Sequence, residues 1–560
     1  VRICRLLDGL PLAIELAGAH SASLSLAELE AGLADRLALL THGARDLLPH
    51  QQTLRSTIAW SYDLLAPAHQ QLFVRLAVFA GGWTLEAAAI TGAASPIEVM
   101  PVLAALIDNS LLHQEIESDG GRRWTMLETI AAYARELFAR RADVAEIRQR
   151  HAQYYLALAE RAEPHFTLPD AAQWLDRIAA DLFNIRAALA WSAETGQHER
   201  GVRLAVALRR FWYLRGHIAD GLAWLETFST DMDALPGPVR WSALRATASL
   251  LEGYGDIERA DQLYSEALAV ADALDDPRRR AVILAGLGGL AFWRGQYDRA
   301  ARYNEEALAF MRAAGETWSY AALLLNQGSI AHEQGAYASA QQLYEEGLTL
   351  HEQSGDRQRI AHAHLCLGRL AKDQGEFEEA AVLLDRAMQL FTPIDTNGVA
   401  SVLDDLGEIA RYQGDAAGAA ALHHASLDRF CRQGGAYATA PILLNLGLLA
   451  WQRGDDDQAR TWCRESLALS AANGDQRGIV KAIRGLAMVA QAQRQHAWAA
   501  QLFGFEAARR KAMGAVIPLV DRAEYERQRA AVEAALGSAY TLAWDAGRAM
   551  TLEAVLQREQ

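Results

Sequence analysis

The chain has 560 residues, 51% of them hydrophobic and 22% charged, enough by length for roughly three or four globular domains. Its net charge is −15 and its 54 basic residues are almost all arginine, with lysine only at 372, 481 and 511. This disfavours a sequence-independent grip on nucleic acid, which needs a basic surface. Cys4, Cys366, Cys431 and Cys463 lack CxxC spacing, so neither a disulfide framework nor a zinc site is indicated. A soluble, cytoplasmic protein is expected, because no apolar run reaches the roughly 18 residues of a membrane span and no leader opens the chain.

The chain opens Val1-Arg2-Ile3-Cys4, without methionine, and is expected to be a piece of a longer one or to start at an alternative codon. Residues 1–50 are read as a helical segment containing Leu7-Asp8-Gly9-Leu10-Pro11-Leu12-Ala13-Ile14-Glu15-Leu16-Ala17. This string resembles the GLPL motif of NB-ARC and other STAND-class signal-transduction ATPases. The resemblance implies that Pro11 lies against an adenine in a nucleotide core placed upstream. The plainer reading is a turn into a buried helix, with proline in the first turn.

Residues 51–149 are read as a winged-helix domain. Leu54, Ile58, Tyr62 and Leu65, then Leu72, Phe73, Leu76 and Phe79, keep a helical period, and a further helix is expected over Pro96–Asn109. Leu111–Glu117 and Arg122–Met126 flank Asp119-Gly120-Gly121 as a strand-turn-strand wing. The segment is similar to the winged helix that follows GLPL in bacterial STAND proteins. Met126-Leu127-Glu128 opens the next helix where that class often carries Met-His-Asp, and Leu127 cannot sense a nucleotide by hydrogen bonding. No lysine stands in a Gly-Lys-Ser/Thr phosphate loop. No cofactor is therefore expected in this chain, and ADP or ATP only with an upstream nucleotide-binding domain. DNA binding is disfavoured: residues 51–140 hold six basic residues (Arg55, Arg75, Arg122, Arg123, Arg135, Arg140) against nine acidic ones. The candidate recognition helix carries Glu98 and Asp108 and no arginine or lysine.

Residues 150–239 read as irregular helical hairpins, including Asp181–Trp191 and Leu208–Gly216, broken at Leu235-Pro236-Gly237-Pro238. From 240 to 513 one pattern recurs at steps of 40 or 39 residues: Gly255-x-Ile257-x-x-Ala260, then the same at Gly295, Gly335, Gly375, Gly414 and Gly454, and finally Arg494-x-His496-x-x-Ala499. A second glycine precedes the first by seven positions (Gly288, Gly328, Gly368, Gly407, Gly447) and allows close helix approach. Each unit is a helical hairpin that buries its face only by stacking. Leu287-Gly288, Gly295-x-Tyr297, Ala300 and Ala307 resemble the tetratricopeptide signature, although its period is about 34 residues. The excess is expected in links such as Ala314-Gly315-Glu316 and Ser354-Gly355-Asp356. Residues 514–560 are expected to cap the array.

The fold class expected is all-α: a winged helix with a small β-hairpin wing, followed by a tetratricopeptide-like solenoid. Groove-facing positions, counted from the packing glycines, are Phe292, Leu325, His332, His362, Arg369, Lys372, Asp404, Arg411, Trp451, Lys481 and Arg484. Asn326 and Asn445 stand where peptide-binding arrays of the resembled family use asparagine to hold a ligand backbone, its amide offering donor and acceptor together. These positions would take a peptide, protein segment or small effector; the alternative is solvated polar positions or contacts between repeats. His362 with His364, and His423 with His424, are splayed on their helices, so no metal site is expected. No catalytic motif appears, and an enzyme is not expected. The resemblance implies a sensor arm whose ligand shifts the winged helix on an upstream nucleotide domain, with assembly into oligomers on activation. A stand-alone scaffold and a DNA-binding regulator are the alternatives.

Overall fold

The computed structural model describes residues 54–116, 120–432 and 439–559. The GLPL-like segment, Pro11 included, lies outside them. Two compact units are present: Val1–Arg161 with Asp176–Leu204, and Ala162–Leu175 with Ala205–Gln560.

In the first unit, α1 (Leu54–Asp63) and α2 (Pro67–Leu76) precede β1 (Trp83–Thr84), α3 (Leu85–Gly92) and α4 (Pro96–Asp108). Ser95 starts α4 through a capping box: its Oγ accepts from the Glu98 N–H (3.4 Å), and its own N–H donates to Glu98 Oε2 (2.7 Å). The wing is β2 (His113–Ile116) paired antiparallel with β3 (Arg122–Thr125), in a three-stranded sheet ordered β1-β3-β2. Phe73, Leu103, Leu106, Trp83 and Trp124 fill its core, with Phe79 stacked on Trp83 at 5.0 Å. Helix α5 (Glu128–Ala139) begins directly after Leu127. It is followed by α6 (Val144–Ala162), α7 (Ala171–Ala180), α8 (Leu182–Glu194) and α9 (His198–Ala207).

The second unit continues with α10 (Arg209–Leu214) and α11 (Ile218–Thr227) and then seven hairpins. These are α12 and α13 (Gly237–Tyr254, Ile257–Ala273), α14 and α15 (Pro277–Trp293, Tyr297–Ala313), α16 and α17 (Thr317–Glu333, Tyr337–Ser354), and α18 and α19 (Arg357–Gln374, Phe377–Phe391). They continue as α20 and α21 (Thr396–Tyr412, Ala416–Arg432), α22 and α23 (Ala440–Gln452, Asp456–Ala472), and α24 and α25 (Gln476–Ala492, His496–Met513). Helices α26 (Leu519–Leu536), α27 (Tyr540–Arg548) and α28 (Leu552–Glu559) close the chain.

The recurring glycines do what their spacing requires. Gly255, Gly295, Gly335, Gly375, Gly414 and Gly454 hold φ between +65° and +98°, and Arg494 takes their place at +60°. At the packing position, a Cβ on Gly328 would fall 2.6 Å from the Tyr344 ring, and one on Gly447 2.7 Å from Cys463 Sγ. In the five hairpins with a packing glycine, the residue four positions after the alanine (Asn304, Tyr344, Leu384, His423 and Cys463) thus fills the space the glycine leaves. Helices α14, α15 and α16 each have 17 residues and are joined by three-residue links. The surplus over about 34 residues therefore lies in longer helices, not in the links as expected.

The array winds with between four and five hairpins to the turn: Arg210 of α10 lies 3.6 Å from Asp356 at the start of α18, four hairpins later. Tyr213 and Leu214 at the end of α10 accept, through their carbonyls, from Asn397 Nδ2 and Thr396 Oγ1 at the start of α20 (3.3 Å each), five hairpins later. The Arg477 guanidinium, at the start of α24, lies 4.5 Å from the ring centroid of Phe292 and 5.4 Å from that of Trp293, at the end of α14, again five hairpins earlier. After α25 the strap 514–518 repeats the relation, with the Val516 N–H donating to the Glu333 carbonyl at 3.0 Å. One turn thus advances the array by about one helix length, roughly 25 Å for 17 residues.

Candidate functional site: the interior of the solenoid

The first helices of the hairpins face the axis of this winding, and their polar side chains form three levels. At the first level, Arg209 and Arg210 of α10 meet Arg245 and Glu252 of α12 and Arg359 of α18. Arg209 Nη1 donates to Ser249 Oγ (3.0 Å), and Arg210 Nη2 lies 3.6 Å from Asp356 Oδ2. The guanidinium of Arg245 covers Trp241 and that of Arg359 covers Trp318, both at 5.3 Å. Tyr264 Oη donates to Glu252 Oε2 at 3.1 Å. Burial, with Arg245 and Arg210 adding repulsion, pushes Arg209 down to about 9, and burial pushes Glu252 up to about 7. None of these residues was singled out from the sequence. Counting ten back from Gly255, as Asp404 stands ten back from Gly414, reaches Arg245; counting three back reaches Glu252.

The second level is an ion network. Lys372 Nζ donates to Asp405 Oδ1 and Glu408 Oε2, both at 2.8 Å, while Arg369 Nε donates to Asp405 Oδ2 at 2.7 Å. Burial opposes charge here, but the two carboxylates outweigh it and hold Lys372 well above the ordinary lysine range. Glu408, half-buried and facing Lys372, is held far below the ordinary carboxyl range, the cost of desolvation being outweighed by the Lys372 charge. Asn445 Nδ2 donates to both oxygens of Asp404 (3.2 and 3.1 Å) and to Glu408 Oε1 (3.1 Å). His423 Nδ1 is 2.7 Å from Asp404 Oδ1.

At the third level His332 Nε2 is 3.1 Å from Asp373 Oδ2, and Arg477 pairs with Glu333. Burial works against the Glu333 charge, but Arg477 and Lys481 hold its pKa at about 2. A small pocket of ≈ 40 Å³ opens here between His332, Glu333, Asp373, Arg477, Lys481 and Val516. Helix α26 closes one side: Asp521 accepts from Tyr412 Oη (2.8 Å) and lies 3.3 Å from Arg484. The terminal helices pack against α25, and α26 also reaches back to α18 in the groove.

The expected groove residues sort accordingly. His332, Arg369 and Lys372 come together on the axis with Asp404 and Arg484, and Phe292 stacks under Arg477. His362 is also interior, its pKa pushed by burial to about 3. Asn445 is buried and its amide nitrogen is committed to Asp404 and Glu408 rather than open to a ligand backbone, and Asn326 is half-buried. Arg411 is buried over the Tyr412 ring at 4.2 Å. Leu325 belongs to the hydrophobic core, Trp451 packs against it elsewhere, and Lys481 is exposed. Among the described residues no group of three or more His, Cys, Asp or Glu side chains is arranged to hold a metal ion, and no single helix is long and apolar enough to cross a membrane.

The winged helix offers little to a phosphate backbone. Arg123, one of its six basic residues, is buried, donating to the carbonyls of Gly82 (2.6 Å) and Ala180 (3.1 Å) and to Asp181 Oδ1 (2.8 Å). Asn184 on α8 also grips this loop, accepting from the Ala80 N–H (2.8 Å) and donating to the Gly82 carbonyl (2.9 Å). Arg55 and Arg135 pair with Glu136 and Glu128, and Arg75 donates to the Gly92 carbonyl at 2.7 Å. The outer face of α4 presents Ile97, Glu98, Pro101 and Asp108.

With this geometry in view, residues 65–139 match the winged helix-turn-helix domain family, and residues 279–353 and 439–472 match tetratricopeptide repeat families. The fold is a winged helix followed by a tetratricopeptide-like solenoid. A Mycobacterium tuberculosis protein named "Putative HTH-type transcriptional regulator Rv0890c" is 36% identical over 300 residues, covering 51% of this chain and 33% of its own length. A second protein of that organism, named "Uncharacterized protein Rv0894", is 40% identical over 139 residues, 24% of this chain and 35% of its own. The chain thus spans about a third of the length of these relatives. Among solved structures, a Rap protein complexed with competence and sporulation factor gives a TM-score of 0.48 at 14% identity, covering 65% of this chain and 98% of that one. A STAND protein with a tetratricopeptide repeat sensor from Pyrococcus horikoshii gives 0.43 at 14% identity, covering 98% and 73%. At these scores the likenesses carry no argument about function.

Proposed function

We propose that this chain is the winged-helix and sensor portion of a STAND-type regulatory protein. The solenoid interior takes a peptide, protein segment or small effector, and its occupancy is relayed to a nucleotide-binding domain upstream of Val1. The observation that carries the reading is the order of parts, a GLPL-like string, a winged helix and a repeat array, together with an axis lined by charged side chains from hairpins far apart in sequence. Such an axis couples ligand contact to the pitch of the whole winding. The chain contributes binding rather than chemistry. An in-frame sequence upstream that encodes a Gly-Lys-Ser/Thr phosphate loop supports this reading, and one without such a loop contradicts it.

The helix-turn-helix regulator named among the relatives raises DNA reading by the winged helix as a second possibility. The burial of Arg123 and the acidic, basic-free face of α4 weigh against it. In a gel-shift at low salt with mixed-sequence duplex, this chain is expected to leave the DNA unshifted. A salt-sensitive shift would restore the DNA-binding reading.

A further inference from the structure

We propose that the first level of the solenoid interior is a binding site for a small oxyanion-bearing ligand, a phosphate or a carboxylate, held between the guanidinium groups of Arg209 and Arg245. The inference rests on the reading of the array as a ligand-binding arm and adds the chemistry of what it binds.

Two observations converge. The first is a group of arginines brought together by winding, of which Arg210 pairs with Asp356 while Arg209, Arg245 and Arg359 form no ion pair among the described residues. Arg209 and Arg210 come from α10, Arg245 from α12 and Arg359 from α18, and the carboxylates beside them are already engaged. Asp356 caps α18 by accepting from the Arg359 N–H (3.1 Å) and also accepts from Trp318 Nε1 (2.9 Å); Asp395 caps α20 by accepting from the Gly398 N–H (2.9 Å). Glu252 accepts from Tyr264 and is half-neutral near pH 7. Glu163 lies within electrostatic range of Arg209 and Arg245. Among the described residues, the one hydrogen bond from the Arg209 guanidinium goes to the neutral Ser249 hydroxyl.

The second observation is a set of buried donors without acceptors. Among the described residues Arg245 Nε and Arg359 Nε have no hydrogen-bond partner, although each guanidinium is fixed against an indole face. Buried guanidinium groups are ordinarily matched by carboxylate or phosphate oxygens, and their planar forks fit those oxygens two at a time. Here the forks are stacked into position on Trp241 and Trp318 with their Nε donors unmatched among the described residues. The Ser249 and Tyr264 hydroxyls stand beside them as further hydrogen-bonding groups.

The test uses the full chain, inorganic phosphate and succinate as probes, and chloride at matched ionic strength as reference. Thermal unfolding is expected to shift upward saturably with one of the probes, by about 2 °C or more at a hundredfold excess over Kd. Phosphate alone raising the midpoint marks a phosphorylated ligand, and succinate alone a carboxylic acid. In the double variant Arg209→Gln, Arg245→Gln the shift is expected to vanish, while the anion-free midpoint stays level or rises because repulsion is relieved. The exposed control Arg280→Gln is expected to keep the full shift. No saturable shift with either probe, a shift that survives in the double variant, or a lowered anion-free midpoint in that variant each overturns the site. Such a failure leaves the regulatory reading standing, since the upstream sequence and nucleotide binding decide that independently.

Discussion

The residues on the solenoid axis carry opposite electrostatic burdens, and two predictions separate them. Lys372 neutralises Asp405 and Glu408 with its side chain only 6% exposed. Lys372→Met leaves the buried Asp405 and half-buried Glu408 carboxylates without it and is expected to cost about 3–5 kcal/mol in urea unfolding. Because Glu408 is held below its unfolded value, its contribution is present above about pH 4.5 and is lost as pH falls through the folded value. Glu252 behaves in the reverse sense. Its folded value of about 7 lies above the unfolded one, so folding binds a proton, and stability declines as pH rises from about 4.5 to 7. Glu252→Gln is expected to remove that decline, gaining at most about 3 kcal/mol at pH 8 and almost nothing at pH 4. Parallel pH–stability curves for wild type and variant would contradict it.

At the scale of the helical hairpin, glycine positions set the packing. Arg494 holds a left-handed conformation at +60° where six other hairpins use glycine, and it is exposed. Arg494→Gly is expected to stabilise by up to about 1 kcal/mol, the strain relieved being partly offset by a freer unfolded chain. Gly328→Ala should lose about 1–3 kcal/mol despite its better helix propensity, because its Cβ would meet the Tyr344 ring. These positions were readable from sequence because turn and contact glycines recur at fixed spacing. The wing was readable for a similar reason, as strands flank a glycine turn. The axis was only partly readable. Lys372, Arg369, His332 and Asp404 follow from counting back along one helix. Their partners depend on which hairpins meet across the turn, and that is set by the pitch of the winding. Asn445 shows the limit: its column suggested a ligand contact, yet Asp404 and Glu408 occupy its amide nitrogen.

For the whole molecule, the winding brings the start of α24 against the ends of both α14 and α16, five and four hairpins earlier, so that Arg477 touches Phe292 and Glu333. The same pitch lets the strap and α26 enter the groove, anchored by Asp521 to Tyr412 and Arg484. Asp521→Ala is expected to speed amide hydrogen exchange in residues 515–536 while leaving 237–273 unchanged; equal protection in both proteins would show that this anchor does not hold the helix down. On the function proposed here, filling the axis changes the pitch of the arm, and a nucleotide domain upstream reads that change. The most direct measurement of this account is a calorimetric titration of ADP into this chain and into a chain extended upstream through a complete phosphate loop. Saturable binding by the extended chain alone is the predicted result. Absence of binding in both would contradict the account and leave a stand-alone scaffold.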